Sequence, residues 1–262
     1  MSYPWTDDSL LSNYRFKNVY KATNTREQCL IIEIIPFSEK NRAETFFRLL
    51  VFKPVADCEL FHQYEIDNGP VTIKNFNTER YIKSFPKCGR EWLTKYLKLV
   101  HRSIANDLFQ DIGKLKSMED VCTSLARNLV LTEYQAYQLA IELNYSDIIN
   151  FSEMEYVVAS KRACDGMKKC FPDLEGNSPE EIIRMMTENQ DKEFKRFGLE
   201  FQDLYGRKIQ LVDCENIFRE IEIYFYLQDV QMQIYASIQK FDPTSKSSKN
   251  RILKFPSKWN IG

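Results

Sequence analysis

Glycine and proline are scarce in this sequence, which has 8 glycines and 9 prolines in 262 residues. A β-sandwich or a doubly wound sheet needs many tight turns, and such turns rely on these two residues. With 44% hydrophobic and 28% charged residues, the composition is that of an ordinary folded protein. We therefore expect an all-α protein, and the length is close to the upper limit for a single core.

Histidine and closely spaced cysteine pairs are also scarce. The chain has 2 histidines, and its 7 cysteines are scattered and include no C-x-x-C pair. This pattern argues against a zinc ribbon, a disulfide framework, a metalloprotease helix and a serine triad. It predicts reduced thiols in a cytosolic compartment, and no metal ligand is assigned.

Signatures of nucleotide binding and of membranes are missing as well. Neither G-x-x-x-x-G-K-[ST] nor G-x-G-x-x-G occurs, which disfavours a classical nucleotide kinase. The longest apolar runs fall far short of the roughly 20 residues that a transmembrane helix needs, and the N-terminus lacks the apolar region of a signal peptide. We therefore expect no signal peptide, no membrane span and no membrane partner.

Charge is nearly balanced overall but uneven along the chain. The net charge is -1, yet six Lys or Arg residues face one acid between positions 83 and 102, and again between 240 and 258. Between positions 173 and 203, nine acids face four bases. Solvated helix faces explain such stretches as well as a phosphate-binding surface does, so charge alone does not decide the function.

Capping signals and apolar spacing predict the helices. The strongest start signal is Ser178-Pro179-Glu180-Glu181, and a shorter helix from Cys29 to Ile35 competes with a strand because it is rich in isoleucine. We expect one helical domain over residues 1–240 and a basic tail over 241–262, with 244–249 mobile or ordered only on a partner. The other predicted helices cover residues 41–53, 78–85, 90–108, 117–127, 132–143, 178–197 and 214–239.

Three polar clusters are candidates for chemistry, and each has a structural alternative. Residues 13–21 interleave aromatic and cationic side chains, as in a surface that stacks on a base and grips phosphate, or as in an arm packed on the core. Residues 151–166 place acids directly before cations, as at a phosphate-binding turn or in an exposed loop. In residues 211–218, Asp213 and Asn216 lie among apolar residues, where Asp213 would also serve as a helix N-cap.

These clusters belong to a longer pattern that resembles a known family. The pattern resembles the helical domain of phage 5-hydroxymethyluracil DNA kinases, also called α-glutamyl/putrescinyl-thymine pyrophosphorylase or amino acid:DNA transferase. It spans nearly the whole chain. The matching segments are Pro4-Trp5-Thr6-Asp7-Asp8, Asn13-Tyr14-Arg15-Phe16, Asn18-Val19-Tyr20, Ala136-Tyr137-Gln138-Leu139, Leu143-Asn144-Tyr145-Ser146, Asn150-Phe151-Ser152-Glu153, Asp165-Gly166, Lys169-Cys170-Phe171, Gly198-Leu199-Glu200-Phe201 and Asp213-Cys214-Glu215-Asn216.

The resemblance implies hypermodification of thymidine in DNA. In that pathway 5-hydroxymethyluracil is phosphorylated and pyrophosphorylated, and an amino acid or polyamine then displaces pyrophosphate. Because no P-loop is present, we assign this chain to the amine-transfer step, with a P-loop DNA kinase as an expected partner. The implied location is the cytoplasm, which is the host cytoplasm for a phage protein, or the nucleus for a eukaryotic one.

The family also looks like the helix-hairpin-helix DNA glycosylases, which hold phosphate with a hairpin and act on a flipped base. Residues 131–136 fall where that hairpin is expected, with Thr132 at the position of the hairpin glycine, and Glu153 falls near the acidic position. The implied fold is therefore an all-α, helix-hairpin-helix DNA glycosylase-like domain. The implied substrate is double-stranded DNA that carries a modified pyrimidine.

The resemblance also assigns roles to residues. Glu153 or Asp165 would deprotonate the incoming amine, and Asp213 would orient the base edge or the carboxylate partner together with Asn216. The loss of pyrophosphate would be consistent with Mg²⁺, although the sequence gives no ligand set and no cofactor is assigned with certainty. The predicted DNA or phosphate contacts are Asn13, Arg15, Lys17, Asn18, Lys161, Arg162, Lys168 and Asn216.

Two other functions remain open at this point. One is a DNA glycosylase that excises a modified base, with Glu153 or Asp165 supporting the developing positive charge on the sugar. The other is a non-catalytic DNA-binding partner of a 5-hydroxymethyluracil DNA kinase. Formation of abasic sites would identify the first, and DNA binding that does not depend on the carboxylates would identify the second.

Overall fold

A computed structural model describes residues 7–14, 16–36, 41–54, 58–85, 89–171, 173–174, 176–229 and 253–261. In this described part of the chain, the regular secondary structure is helical, and Leu204 and Arg207 form an isolated β-bridge. The expected all-α class is therefore confirmed. None of the helices described is both long enough and apolar enough to cross a membrane.

The chain divides into two compact units. Unit 1 comprises residues 1–24 and 157–253, and unit 2 comprises residues 25–156 and 254–262. The expectation of one domain over 1–240 with a basic tail stays a prediction. The tail segment 244–249 lies outside the described residues, whereas Lys254 exchanges two hydrogen bonds with the side chain of Gln28 in unit 2, at 2.8 and 3.0 Å.

The described residues of unit 2 contain eight α-helical segments, whose bounds follow the caps in most cases. Helix α3 packs on α6 and α9, and α8 packs on α6 and α9. Apolar side chains form the core, and edge-to-face ring pairs such as Phe52 with Phe61 and Tyr64 with Tyr81 fill it. The helices are α2 (Thr25–Cys29, continued as a π-helix Leu30–Ile34), α3 (Arg42–Phe52), α4 (Cys58–Asn68), α5 (Thr78–Lys83), α6 (Arg90–Ala105), α7 (Leu108–Ile112), α8 (Met118–Leu129) and α9 (Glu133–Asn144), with a 3-10 turn at Ser257–Trp259.

Unit 1 is built around a close pair of helices, α10 and α13. Ser160 caps α10 by accepting the amide N–H of Ala163, and α11 begins with a capping box between Ser178 and Glu181. The N-terminal segment and α11 both pack on α13. The elements are α1 (Ser9–Asn13), a 3-10 turn (Lys21–Thr23), α10 (Lys161–Cys170), α11 (Pro179–Glu188), α12 (Gln190–Arg196) and α13 (Leu211–Asp229).

Several sequence expectations need correction. The predicted helix over 178–197 is interrupted at Asn189, and Asp107 at a φ of 57° ends the predicted helix over 90–108. Helix α4 was not predicted, and neither was α10, whose charged sequence was interpreted as a turn. The expectation of reduced thiols is wrong for Cys29, which is disulfide-bonded, whereas four other cysteines are free: Cys122, Cys164, Cys170 and Cys214.

Candidate functional site

A close approach of two helices organises unit 1, and a glycine makes it possible. A Cβ atom placed on Gly166 of α10 would lie 2.0 Å from the carbonyl oxygen of Phe218 and 3.0 Å from the amide nitrogen of Glu222, both in α13. Only glycine permits this spacing without a backbone shift. The Asp165-Gly166 pair therefore combines a packing requirement with a carboxylate on the outer side of α10.

The predicted cations of α10 surround that carboxylate. Lys161, whose side chain is 90% exposed, pairs with Asp165 at 2.9 Å, and Arg162 pairs with Glu222 of α13 at 3.2 Å. The hydrogen bond from Lys161 lowers the pKa of Asp165, and the charge of Lys168 adds to the effect. The helix thus presents a carboxylate beside exposed cations, and the predicted roles of these residues stay predictions.

The backbone amides just before α10 are already occupied. Ala159 donates its N–H to Glu180 at 2.8 Å, and Ser160 donates its N–H to the fully buried Glu215 at 3.3 Å. Carboxylates therefore take the acceptor positions that a phosphate would take at these two amides. A phosphate contact in this region would depend on the side chains of Lys161 and Arg162.

Asp213 and Asn216 connect the start of α13 to the N-terminal segment. One oxygen of Asp213 accepts the N–H of Lys21 at 2.8 Å, and the other accepts the N–H of Gln210 at 3.1 Å. Asn216 donates from its side chain to the carbonyl of Asn18 at 3.2 Å. Asp213 is the third residue of α13 rather than its N-cap, and both of its oxygens serve the fold.

The predicted contacts of the N-terminal arm are partly described. Asn18 donates from its side chain to the carbonyl of Thr23 at 3.1 Å, and Lys17 is exposed. The rings of Tyr14 and Phe16 meet edge to face at 4.7 Å. Arg15 and the side chain of Asn13 lie outside the described residues, so their predicted roles stay predictions.

Glu153 lies in unit 2, whereas Asp165 and Asp213 lie in unit 1. It is 8% exposed and accepts a hydrogen bond from the indole nitrogen of Trp259 at 3.0 Å. Asp165 and Asp213 do not line a cavity of about 530 Å³ that is described in unit 1. Of the predicted residues, that cavity is lined by Lys17, Asn18 and Asn216.

The connection between α8 and α9 is where the hairpin was expected. Thr132 caps α9, and its side chain and that of Gln135 form a reciprocal capping box. The left-handed residue is Val130, with a φ of 52° and 74% exposure. This conformation is unusual for a β-branched residue. The residue with the positive φ, a conformation that glycine adopts without strain, is therefore Val130, two positions before Thr132. Thr132 itself has an extended backbone.

Glu220 also lines the 530 Å³ cavity, although it was not among the predicted site residues. Its carboxylate accepts a hydrogen bond from the backbone N–H of Lys17, 203 positions away in the sequence. No local sequence pattern predicts a contact of this kind. As for a metal, the described residues contain no group of three His, Cys, Asp or Glu side chains placed to hold one. No step below uses a metal.

Comparison with known proteins identifies the family. A family model described as "5-hmdU DNA kinase, helical domain" matches residues 1–233. Searches of the curated proteins and of the solved structures each gave no match. Because the matched region covers well over half of the sequence, this chain belongs to the family of the 5-hmdU DNA kinase helical domain, which is associated with the modification of 5-hydroxymethyluracil in DNA.

Proposed function

We propose that this protein binds double-stranded DNA and transfers an amino acid or polyamine to phosphorylated or pyrophosphorylated 5-hydroxymethyluracil. The observation that carries the proposal is the carboxylate of Asp165 among exposed cations on α10, in a chain of this family. Cations suit a polyphosphate leaving group, and an adjacent carboxylate suits an attacking amine.

In the proposed reaction, the amine nitrogen forms a bond to the methylene carbon of the modified base. The bond from that carbon to the phosphate oxygen breaks, and its electron pair leaves with pyrophosphate. An ammonium has no lone pair, so its proton must first be removed, and Asp165 is the acceptor. Lys161 and Lys168 balance the charge of the departing group. Extrusion of the base from the duplex costs roughly a few kcal/mol.

The test is to incubate the protein with DNA that contains pyrophosphorylated 5-hydroxymethyluracil and with candidate amines, and then to digest the DNA for mass spectrometry. We expect a new aminated nucleoside, which the Asp165→Asn variant forms at least about 100-fold more slowly. Asp111→Asn is the matched control, because Asp111 is also an exposed carboxylate and pairs with a lysine three positions along the chain, Lys114. An unchanged nucleoside profile with every amine would rule out the transferase.

A second candidate is a non-catalytic DNA-binding partner of a 5-hydroxymethyluracil DNA kinase. It is favoured by the hydrogen bonds that engage Glu153 and both oxygens of Asp213 within the fold. In this case Asp165→Asn would leave biological activity intact, whereas Lys161→Ala combined with Lys168→Ala would weaken DNA binding. Each lost phosphate contact would also lower the slope of binding against salt concentration by about one unit.

The glycosylase alternative is separated by the same reaction mixtures. Excision of the base would leave abasic sites in the DNA, whereas amine transfer would leave the sugar-base bond intact. Abasic sites that form without any added amine would replace the transferase by the glycosylase.

A further inference from the structure

The 530 Å³ cavity of unit 1 has walls that suit a small organic ligand. Phe16 of the N-terminal arm forms one side, and Ile217, Ile221 and Tyr224 from one face of α13 form the other, with Phe225 beyond them. Ligand pockets of about 300–1,000 Å³ are typically apolar and aromatic, with a few polar groups that fix the ligand. Glu220 is the one acidic group among the lining residues.

Glu220 is partly buried, and a carboxylate in such a position normally has a counter-charge. Its Oε2 atom accepts the backbone N–H of Lys17 at 3.0 Å, but its Oε1 atom is buried and has no hydrogen-bond donor. No ion pair to Glu220 occurs within the described residues. Because an uncompensated charge beside apolar walls is costly, such a group usually belongs to a ligand site or to a pair.

Glu222, two positions after Glu220 in α13, does form an ion pair with a cation. Glu222 accepts from Arg162 at 3.2 Å, and Glu222 does not line the cavity. The electrostatic influence of Glu220 reaches Tyr14, whose pKa is raised first by burial and then by the Glu220 carboxylate, while Arg162 opposes both effects. Glu220 therefore places a carboxylate at the wall of the cavity.

The rings around the cavity favour the same kind of ligand. Phe16 and Tyr224 lie 6.3 Å apart, and Tyr224 and Phe225 lie 5.4 Å apart, measured between ring centroids. The ammonium of Lys169 already lies 5.8 Å from the centre of the Phe225 ring. Aromatic faces attract cations through their negative electrostatic potential, and apolar walls accept the carbon chain of such a cation.

We propose that this cavity binds an organic cation with an apolar body, an alkylammonium or arylalkylammonium, whose positive group is held by Glu220. The identification of this ligand as the amine of the transfer reaction rests on the proposed function. The binding itself requires no DNA and no transfer, so it is measured separately.

The test is calorimetric titration of the full chain with 4-phenylbutylammonium and with the neutral 4-phenylbutan-1-ol. We expect the ammonium to bind about tenfold more tightly than the alcohol, which is the effect of one charge-assisted hydrogen bond. Glu220→Gln should lower ammonium binding to the level of the alcohol and leave alcohol binding unchanged. This variant keeps an oxygen acceptor for the Lys17 amide, and circular dichroism would verify its folding.

Two further variants control the experiment. Glu222→Gln removes a carboxylate of the same helix outside the cavity, and it should leave ammonium binding unchanged. Ile221→Trp fills the cavity and should weaken both ligands. Equal binding of ammonium and alcohol, no ammonium binding up to about 10 mM, or full binding by Glu220→Gln would each overturn the proposal.

Failure of this inference and failure of the proposed function have different signatures. Selective ammonium binding without any aminated nucleoside would keep the cation site and remove the transferase. Amine transfer in which Glu220→Gln leaves the KM for the amine unchanged would keep the transferase and remove the cation site.

Discussion

Two carboxylates, a buried one in unit 2 and a partly buried one in unit 1, have opposite electrostatic surroundings. In unit 2, Glu142 is fully buried, and its Oε1 atom accepts from both Arg26 and Lys53 at 2.8 Å. In unit 1, Glu220 receives one backbone N–H and no cation from the residues described. Glu142 has the environment of a structural ion pair. Glu220 has the environment of a binding site for a cationic ligand.

The two carboxylates differ in whether neighbouring cations stabilise their charge. Burial alone would raise the pKa of Glu142, but Lys53 and Arg26 together lower it to about 2. The cluster stabilises the packing of α2, α3 and α9, since Arg26 lies in α2, Lys53 directly follows α3 and Glu142 lies in α9. No comparable cluster compensates Glu220 in the described part of unit 1. Variants of the two carboxylates should therefore separate stability from ligand binding.

The largest effect should come from Glu142→Gln. It leaves Arg26 and Lys53 as two partly buried cations without their shared acceptor charge. Breaking a buried ion pair in this way costs about 3–5 kcal/mol, and urea unfolding measures the loss. Glu119→Gln, on the exposed face of α8, should change the free energy of unfolding by less than about 0.5 kcal/mol. If Glu142→Gln lowered the free energy of unfolding only slightly, the charge of Glu142 would not stabilise the fold.

The acid limb of the stability profile should show the same cluster. Although burial opposes the change, the charges of Lys53 and Arg26 lower the pKa of Glu142 from its ordinary value of 4.5 to about 2, so its contribution to stability is complete above pH 4.5 and is lost as the pH falls towards 2. A lowered pKa of this size corresponds to about 3 kcal/mol. Unfolding measured between pH 5 and 2 should therefore be steeper for the wild type than for Glu142→Gln. Identical slopes would contradict the assignment.

Gly166→Ala should have the next largest effect, and it tests the scaffold beneath the Glu220 cavity. The added Cβ would lie 2.0 Å from the Phe218 carbonyl, so α10 and α13 must separate. Overpacking of this kind costs about 1–3 kcal/mol. Gly113→Ala is the control, because its Cβ would meet nothing closer than 3.6 Å. If both variants unfold alike, the close helix contact does not limit stability.

Local signals predicted much of the fold and little of the candidate site. Ser117, Thr132 and Ser178 cap helices as expected, because a cap depends on residues within one turn. Helix α10 was missed because its acids and cations were interpreted as an exposed turn, although Ser160 caps it and Gly166 permits its packing.

The site residues were harder to predict because their environments depend on segments that are distant in the sequence. The sequence identified Asp165 beside its cations, but it gave Asp213 a chemical role although both of its oxygens hold backbone amides. Glu220 had no local signal, since its environment is created by an arm distant in sequence. Helix caps are short-range features, whereas a charge without a counter-ion is defined only after the chain has folded.

The smallest effect on stability should come from Glu220→Gln. A small change in its free energy of unfolding would separate Glu220 from Glu142, where the same substitution should cost several kcal/mol. No described cation loses a partner, and glutamine keeps an oxygen acceptor for the Lys17 amide. The free energy of unfolding should therefore stay within about 0.5 kcal/mol of the wild type or rise slightly, because an uncompensated charge has been removed. Urea unfolding at pH 7 measures it. A loss comparable to that of Glu142→Gln would mean that Glu220 is a structural carboxylate, whose charge stabilises the fold itself instead of a bound cation.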